Sequence, residues 1–334
     1  MPRAAILGFD GCHASTLGGY ADVLHVANAH LVKARGNSAK LFEWQFVAMD
    51  DAPVLASNGL PLQLRKVQAR DRFDLVFVPS LHYGGHREFD QFLARHEGTA
   101  RWLTRQWERG AWLVANCTAT FLLGATGLLD GRTATTTWWL ESQFKARYPQ
   151  VNLSMRPVVT EDERLVCAGA SASYLLQAVR VVERFAGAGV AAQCARTMLI
   201  DTSRTSQMPC LPLLAETEHT DTLVQRAQQW LQQHMTEQPR MAWLAEHLAV
   251  SERTLVRRFQ AALGHAPLTY LQHLRIDTAR TLLEGGDLRV EQVAAMVGYA
   301  DTSSFARLFR TRVGLAPGAY RARFQVVDAP PDGA

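Results

Sequence analysis

The chain has 334 residues, 48% of them hydrophobic and 20% charged, with a formal net charge of +4. That length exceeds one ordinary core and predicts two domains with a linker. No run of about 18 apolar residues occurs, which excludes a membrane-spanning helix, so no membrane partner is expected.

The first ten residues, MPRAAILGFD, enter a strand-like run with no signal-peptide cleavage region, so a cytoplasmic location is expected. Five cysteines (Cys12, Cys117, Cys167, Cys194, Cys210) lack paired metal-type spacing. Reduced thiols are expected, with no disulfide framework, no metal site and no cofactor.

Along residues 1–200, the runs AAILGF, WQFVAM, DLVFVPS and AWLVANC are apolar and punctuated by Gly, Pro or Asp, as buried parallel strands are. Amphipathic runs at Ala21 to Arg35 and Gln91 to Arg109 read as helices between them. The pattern predicts a doubly wound α/β domain that binds ligands at the carboxyl ends of its strands. One such end carries Asn116-Cys117-Thr118. A strand, sharp turn and helix there would place Cys117 near helix N-terminal amides, which lower a thiol pKa and expose the sulfur as in a nucleophile elbow. A buried, inert cysteine is the other reading of the same residues.

Residues 201–222 are rich in Ser, Thr, Pro and acidic residues without periodicity, and predict an inter-domain linker. The last segment, 326–334, is expected to be disordered.

Residues 223–325 contain an internal repeat. Leu244, Ala245 and Leu248 recur as Val293, Ala294 and Val297 at an offset of 49 residues. Leu255, Arg257, Phe259, Gly264, Pro267 and Tyr270 recur as Phe305, Arg307, Phe309, Gly314, Pro317 and Tyr320 at an offset of 50. Each copy predicts two short helices around a tight turn, which in the second copy holds Gly298. Ser251 caps the second helix of the first copy, and Asp301 or Thr302 that of the second. Leu255 with Phe259, and Phe305 with Phe309, lie four apart on buried faces. Gly264 and Gly314 stop the helices, with Pro267 and Pro317 shortly after.

Two helix-turn-helix units follow from this, forming an all-α domain that partners double-stranded promoter DNA. The exposed positions are Ser251, Glu252, Arg253, Thr254, Val256 and Arg257 in the first copy. In the second they are Thr302, Ser303, Ser304, Ala306, Arg307 and Arg310. Arg253, Arg257 and Arg307 suit guanine edges; Arg258, Arg310 and Arg312 suit phosphates. Composition agrees, since Ser251 to Arg323 holds eleven Arg and no Lys against six acidic residues.

The segment from Val224 to Phe324 resembles the AraC/XylS-type DNA-binding domain, through LAEHLAVSERTLVRRF, GHAPLTYLQHLRIDTARTLL and VAAMVGYADTSSFARLFRTRVGLAPGAYR. The resemblance implies seven helices, the long one within Leu268 to Leu283 joining the two units. Residues 1–200 resemble the DJ-1/PfpI, or class I glutamine-amidotransferase-like, domain. The matching pieces are Phe9 to Gly11, the turn at Cys117, Ala125 to Trp139, Arg164 to Ala170 and Ser203 to Pro209. The combination is similar to GlxA-type regulators.

The resemblance implies a homodimeric activator that works with RNA polymerase and answers a small molecule, an amino acid or amine-type nitrogen compound. It also implies a pocket lined by Thr16, Asp22, Ser80, His82, Cys117, Thr118, Thr137 and Trp138. Trp138 offers an aromatic face to a cation, whereas Trp139 is the more readily packed of the tandem pair. An enzyme of this fold pairs its cysteine with a histidine and an acid. By position those are Thr137 and Thr16 here, and neither is a general base near pH 7. A sensor without catalytic residues is expected; a Cys117-dependent amidase or glyoxalase is the alternative.

Overall fold

The computed structural model describes residues 2–36, 41–211, 213–214 and 219–325. It divides into two compact units, Met1–Gln207 and Met208–Ala334. The tail expected to be disordered lies outside the described residues.

The first unit opens with β1 (Arg3–Leu7), α1 (Ala14–Arg35), β2 (Glu43–Ala48), β3 (Val54–Leu55), β4 (Pro61–Leu62), β5 (Arg65–Lys66) and β6 (Leu75–Val78). It continues through α2 (His86–Arg95), α3 (Glu97–Glu108), β7 (Trp112–Asn116), α4 (Thr120–Gly124), β8 (Thr133–Ala134), α5 (Glu141–Arg147) and β9 (Asn152–Leu153). A hairpin of β10 (Val159–Asp162) and β11 (Leu165–Ala168), then α6 (Tyr174–Ala186) and α7 (Ala188–Thr197), complete it. Seven strands form one sheet in the order β10-β11-β7-β6-β1-β2-β5. Every pairing is parallel except β10 with β11.

The four apolar runs read as strands are β1, β2, β6 and β7. Both faces of the central strands are covered: Ala4 to Leu7, Leu75 to Val78 and Leu113 to Ala115 are all buried. Strand order reverses between β1 and β6, because the chain leaves β1 towards β2 and returns on its other side. Ligand crevices of open α/β sheets form at that position, beyond the carboxyl ends of the strands.

Three features depart from expectation. Helix α1 starts at Ala14, earlier than Ala21, because Gly18 and Gly19 interrupt the apolar periodicity. Gly19 is required, since a Cβ there would meet the Tyr174 ring at 2.2 Å. The run Gln91 to Arg109 falls in two helices that break at His96, whose ring stacks on Phe92 at 4.0 Å while its Nδ1 meets the Phe92 carbonyl at 2.8 Å. Of the stretch read as linker, Asp201 to Gln207 belongs to the first unit. Gln207 N donates to Arg156 O at 2.8 Å, and Val158 N to Thr205 O at 3.1 Å.

The second unit contains α8 (Thr222–Gln233), α9 (Met241–His247), α10 (Glu252–Leu263), α11 (Pro267–Glu284), α12 (Val290–Met296), α13 (Thr302–Val313) and α14 (Pro317–Phe324). Its apolar side chains form two cores. Leu244, Ala245, Leu248, Leu255 and Phe259 pack with Val224, Ala227, Leu231, Tyr270 and Leu271. Val293, Ala294, Val297, Phe305 and Phe309 pack with Ile276, Ala279, Leu283, Val313 and Tyr320. Helix α11 therefore gives its first half to one core and its second half to the other.

Arg275 ties the halves together. Buried on α11, it donates from Nε to Met235 O at 2.8 Å and from a terminal nitrogen to Glu237 O, with its guanidinium 5.1 Å from the Tyr299 ring centroid. Pro209, Leu211, Leu213 and Leu214, also from the expected linker, are held on the same helix. Arg280 donates to Leu211 O at 2.6 Å and Pro209 O at 2.8 Å. Asp277 accepts from Leu213 N at 3.2 Å and Leu214 N at 3.0 Å.

The turn of each helix-turn-helix needs a left-handed residue: Ala249 at φ 54° in the first and Gly298 at φ 83° in the second. A Cβ on Gly298 would also meet Thr236 O at 2.7 Å and Met235 O at 2.9 Å. Gly298→Ala should lower the stability of this unit by more than about 1 kcal/mol. Ala249→Gly should be neutral or stabilising, because it relieves about 1 kcal/mol of left-handed strain. Paired denaturant melts of the two variants read both effects.

Candidate DNA interface and ligand site

Helices α10 and α13 form the candidate nucleic-acid interface. Ser251 Oγ accepts from Thr254 N at 3.2 Å and starts α10. Asp301 accepts from Ser303 N at 3.1 Å and Ser304 N at 2.8 Å and starts α13, so the cap is Asp301 and not Thr302. Those hydrogen bonds, with the Ser304 hydroxyl first, hold the Asp301 carboxyl below its ordinary pKa. Gly264 and Gly314 close the helices in the left-handed conformation, and Pro267 and Pro317 stand in the first turns of α11 and α14.

Leu255, Phe259, Phe305 and Phe309 face inward, leaving Glu252, Arg253, Val256 and Arg257 exposed on α10 and Ser303, Arg307 and Arg310 on α13. Thr254, Thr302, Ser304 and Ala306 are half-buried. Arg307 reaches Ser304 Oγ at 3.4 Å, a loose contact that leaves its fork available.

Arg258 is a correction. Its side chain grips the Asp221 carboxylate through Nε at 2.8 Å and a terminal nitrogen at 2.5 Å. Asp221 also caps α8, accepting from Leu223 N and Val224 N. The bond from Arg258 is the main reason its carboxyl sits below the usual range. Arg258 thus braces α10 against α8, and its fork is engaged within the protein. Arg312, expected at a phosphate, is half-buried and contacts Gln272 Oε1 at 3.4 Å.

In the first unit, the loops after β1, β6 and β7 converge. Thr16 Oγ1 lies 3.2 Å from Ser80 Oγ, and His13 Nδ1 lies 2.9 Å from Ser80 Oγ and 3.3 Å from Ser171 Oγ. Asn116 Nδ2 donates to Ser171 O at 2.9 Å, connecting this cluster to the strand end before Cys117. Burial, then the nearby His82, lowers the His13 pKa and favours its neutral ring. Beneath the loops, Tyr20 donates to Gln177 Oε1 at 2.7 Å, and Gln177 Nε2 donates to Ala115 O and Val166 O, fixing β7 against β11.

The turn at Cys117 is sharp: φ is 56°, left-handed and costly for a residue with a Cβ. The thiol is nevertheless buried. Burial pushes its pKa up to about 11, with the Thr118 and Thr137 groups only partly offsetting this. Of the two readings of this cysteine, the buried thiol is the one the structure has, and not the exposed, acidified sulfur. Helix α4 is short and apolar, and desolvation outweighs what its amides offer a thiolate.

The pocket residues do not all meet. Thr118 is occupied elsewhere, since its Oγ1 accepts from Leu81 N at 2.9 Å and donates to Leu81 O at 3.0 Å. Asp22 and His82 are exposed, Asp22 lying near Tyr174. Thr137 Oγ1 is buried without a hydrogen-bond partner of good geometry and acts only weakly on the thiol. Trp138 is half-buried and Trp139 is 46% exposed, rings edge-on at 5.3 Å, so Trp139 is the less packed of the two. His13, which the sequence offers with His82 as a substitute base outside the motif positions, and Ser171 join the site beyond the eight expected pocket residues. Among the described residues no helix is long and apolar enough to cross a membrane, and no cluster of three potential metal ligands occurs.

Comparison with known proteins agrees with both halves. The DJ-1/PfpI family model matches residues 3–184, and a helix-turn-helix domain model matches residues 244–323. The chain belongs to the DJ-1/PfpI family and carries a helix-turn-helix domain after the DJ-1/PfpI region. Among its relatives is the HTH-type transcriptional regulator CdhR of Pseudomonas aeruginosa, 29% identical over 85% of this chain and 83% of that one. GbdR, an HTH-type transcriptional regulator of the same species, is 26% identical over 83% of this chain and 74% of that one. A solved structure from Vibrio parahaemolyticus shares the fold, with TM-score 0.51 at 17% identity over 59% of this chain and 98% of the other.

The elevated pKa makes a direct prediction. With a pKa near 11, about one Cys117 thiol in ten thousand is ionised at pH 7. Its alkylation by iodoacetamide, followed by peptide mass spectrometry, should rise about tenfold per pH unit between pH 7 and 10 without levelling off. Exposed Cys210 should be modified first. A plateau for Cys117 below pH 8 would contradict the assignment.

Proposed function

We propose that the chain is a ligand-responsive transcription regulator. Its second unit binds double-stranded promoter DNA through α10 and α13, and its first unit senses a small molecule without turning it over. The observation that carries this reading is the pair of capped recognition helices, each presenting arginines to solvent above its own core. Two units on one long helix suit successive major grooves, so each reads its own half of an asymmetric site. The relatives' names support regulation; activation, homodimerisation, contact with RNA polymerase and a cytoplasmic location are further parts of the proposal.

A non-catalytic first unit is supported by the thiol's surroundings. Burial holds the Cys117 proton in place, and the hydroxyls of Thr118 and Thr137, which favour the thiolate, only partly offset it. Turnover of an amide or 2-oxoaldehyde that Cys117→Ser abolishes would establish the enzyme instead. For the effector, we favour an amino acid or amine-type nitrogen compound, supported by the Trp138–Trp139 pair beside the turn.

A route for the signal is built into the same loops. Thr136 Oγ1 donates to Cys117 O at 3.0 Å, and neighbouring Thr135 Oγ1 accepts from Gln207 Nε2 at 2.9 Å. Gln207 is the last residue of the first unit, and Gly169 leaves room for its side chain, which a Cβ there would strike at 2.0 Å. A ligand that moves the 135–137 segment therefore acts on the chain leading to the DNA-binding unit, by favouring one arrangement over another.

Arg257→Ala and Arg307→Ala should each relax base preference, by about 1–3 kcal/mol, in different half-sites; footprints and Kd values measured at fixed salt decide it. Wild-type preference in both variants would remove these side chains from the interface. In a thermal-shift screen of the full chain, an amine effector should raise Tm. Gln207→Ala should keep that shift while weakening the effector's influence on DNA affinity.

A further inference from the structure

The stripe of α10 facing away from its core carries one side chain that a charged interface does not explain. Val256 is 41% exposed in mid-helix. A β-branched residue there lowers helix propensity and leaves apolar surface in water. It lies in a shallow groove lined by Glu252, Arg253, Val256, Arg257, Gln260 and Ala261. Those positions form a single stripe along the helix, opposite buried Leu255 and Phe259. Arg253, nearly one turn earlier, and Arg257, the next residue, flank the isopropyl group, and neither makes a hydrogen bond or ion pair with another described residue.

The second unit repeats the arrangement in reduced form. Fifty residues on, Ala306 precedes Arg307 and is half-buried, and Ser303 stands where the first unit has Arg253. Both recognition helices thus place an apolar residue directly before an arginine, and only the first extends it beyond a methyl. Guanidinium forks beside it suit the acceptor edge of guanine. The isopropyl group suits the one apolar feature that a base pair displays in the major groove, the C5-methyl of thymine.

We propose that Val256 reads a thymine methyl beside the guanine contacted by Arg257, giving the first half-site a preference for thymine that Ala306, with only a methyl group, does not impose in the second. This rests on the DNA-binding reading above. The test uses the full chain and duplexes selected by it from a random-sequence pool, with the first half-site identified as the bases at which Arg257→Ala relaxes preference. Each thymine there is replaced singly by deoxyuridine, which removes the methyl and keeps the pairing.

One replacement should weaken binding about fourfold, the factor that about 0.8 kcal/mol for one buried methyl group gives at 1.4 kcal/mol per tenfold. Val256→Ala, which favours the helix, should bind the thymine and deoxyuridine duplexes equally at that position and keep the Arg257-dependent preference. The proposal is overturned if no thymine of that half-site responds, or if the deoxyuridine penalty persists in Val256→Ala. Selection of no preferred sequence at all would instead overturn the DNA-binding reading itself, a distinguishable result.

Discussion

The guanidinium of Arg275 is the constraint on which the DNA-binding unit depends. A charge taken out of water costs several kcal/mol unless hydrogen bonds replace its hydration. Here the replacements come from the carbonyls of Met235 and Glu237 and the face of Tyr299. The carbonyls lie between α8 and α9, just before the first helix-turn-helix, and the ring precedes α13, in the second. Because the charge cannot be left unsatisfied, the two small cores are held to one helix in a fixed relation. Gly298 is part of the same arrangement, since its missing Cβ lets the 235–237 loop approach. Each core alone holds about ten buried side chains, too few for much independent stability.

Charged pairs do different work on either side of that helix. Arg258 binds Asp221 and Arg280 binds Asp277, while Arg253, Arg257 and Arg310 stay exposed. The arginine-rich composition of the domain thus divides into structural and outward-facing members. Near Asp277, the same helix also binds the backbone of Pro209, Leu211, Leu213 and Leu214.

Much of this was legible in sequence, for a physical reason. Caps, left-handed glycines and inward-facing aromatic pairs are set by residues a few positions apart, and duplication printed them twice. Ser251, Leu255, Phe259 and Gly264 predict one helix without reference to anything distant. The apolar runs of β1, β2, β6 and β7 were equally plain because both faces of those strands are covered. Long-range partners were not legible. Nothing local to Arg258 signals Asp221, which lies 37 residues earlier. Nothing near Thr118 signals that Leu81 takes both hydrogen bonds of its hydroxyl. Strand β5 was missed because it has two residues, and β10 and β11 because the segments around them mix polar and apolar residues. At Cys117 the turn was predicted from local pattern, whereas burial depends on the packing of loops from three strands.

The covered thiol has a consequence for redox chemistry. Peroxide attacks a thiolate and not a thiol, and the oxidation ladder from sulfenic to sulfonic acid begins only where that anion is present and accessible. With its proton retained to about pH 11 and its sulfur enclosed, Cys117 stands below the first rung. The turn is strained while its thiol is covered, so slow oxidation at Cys117 is the expected consequence.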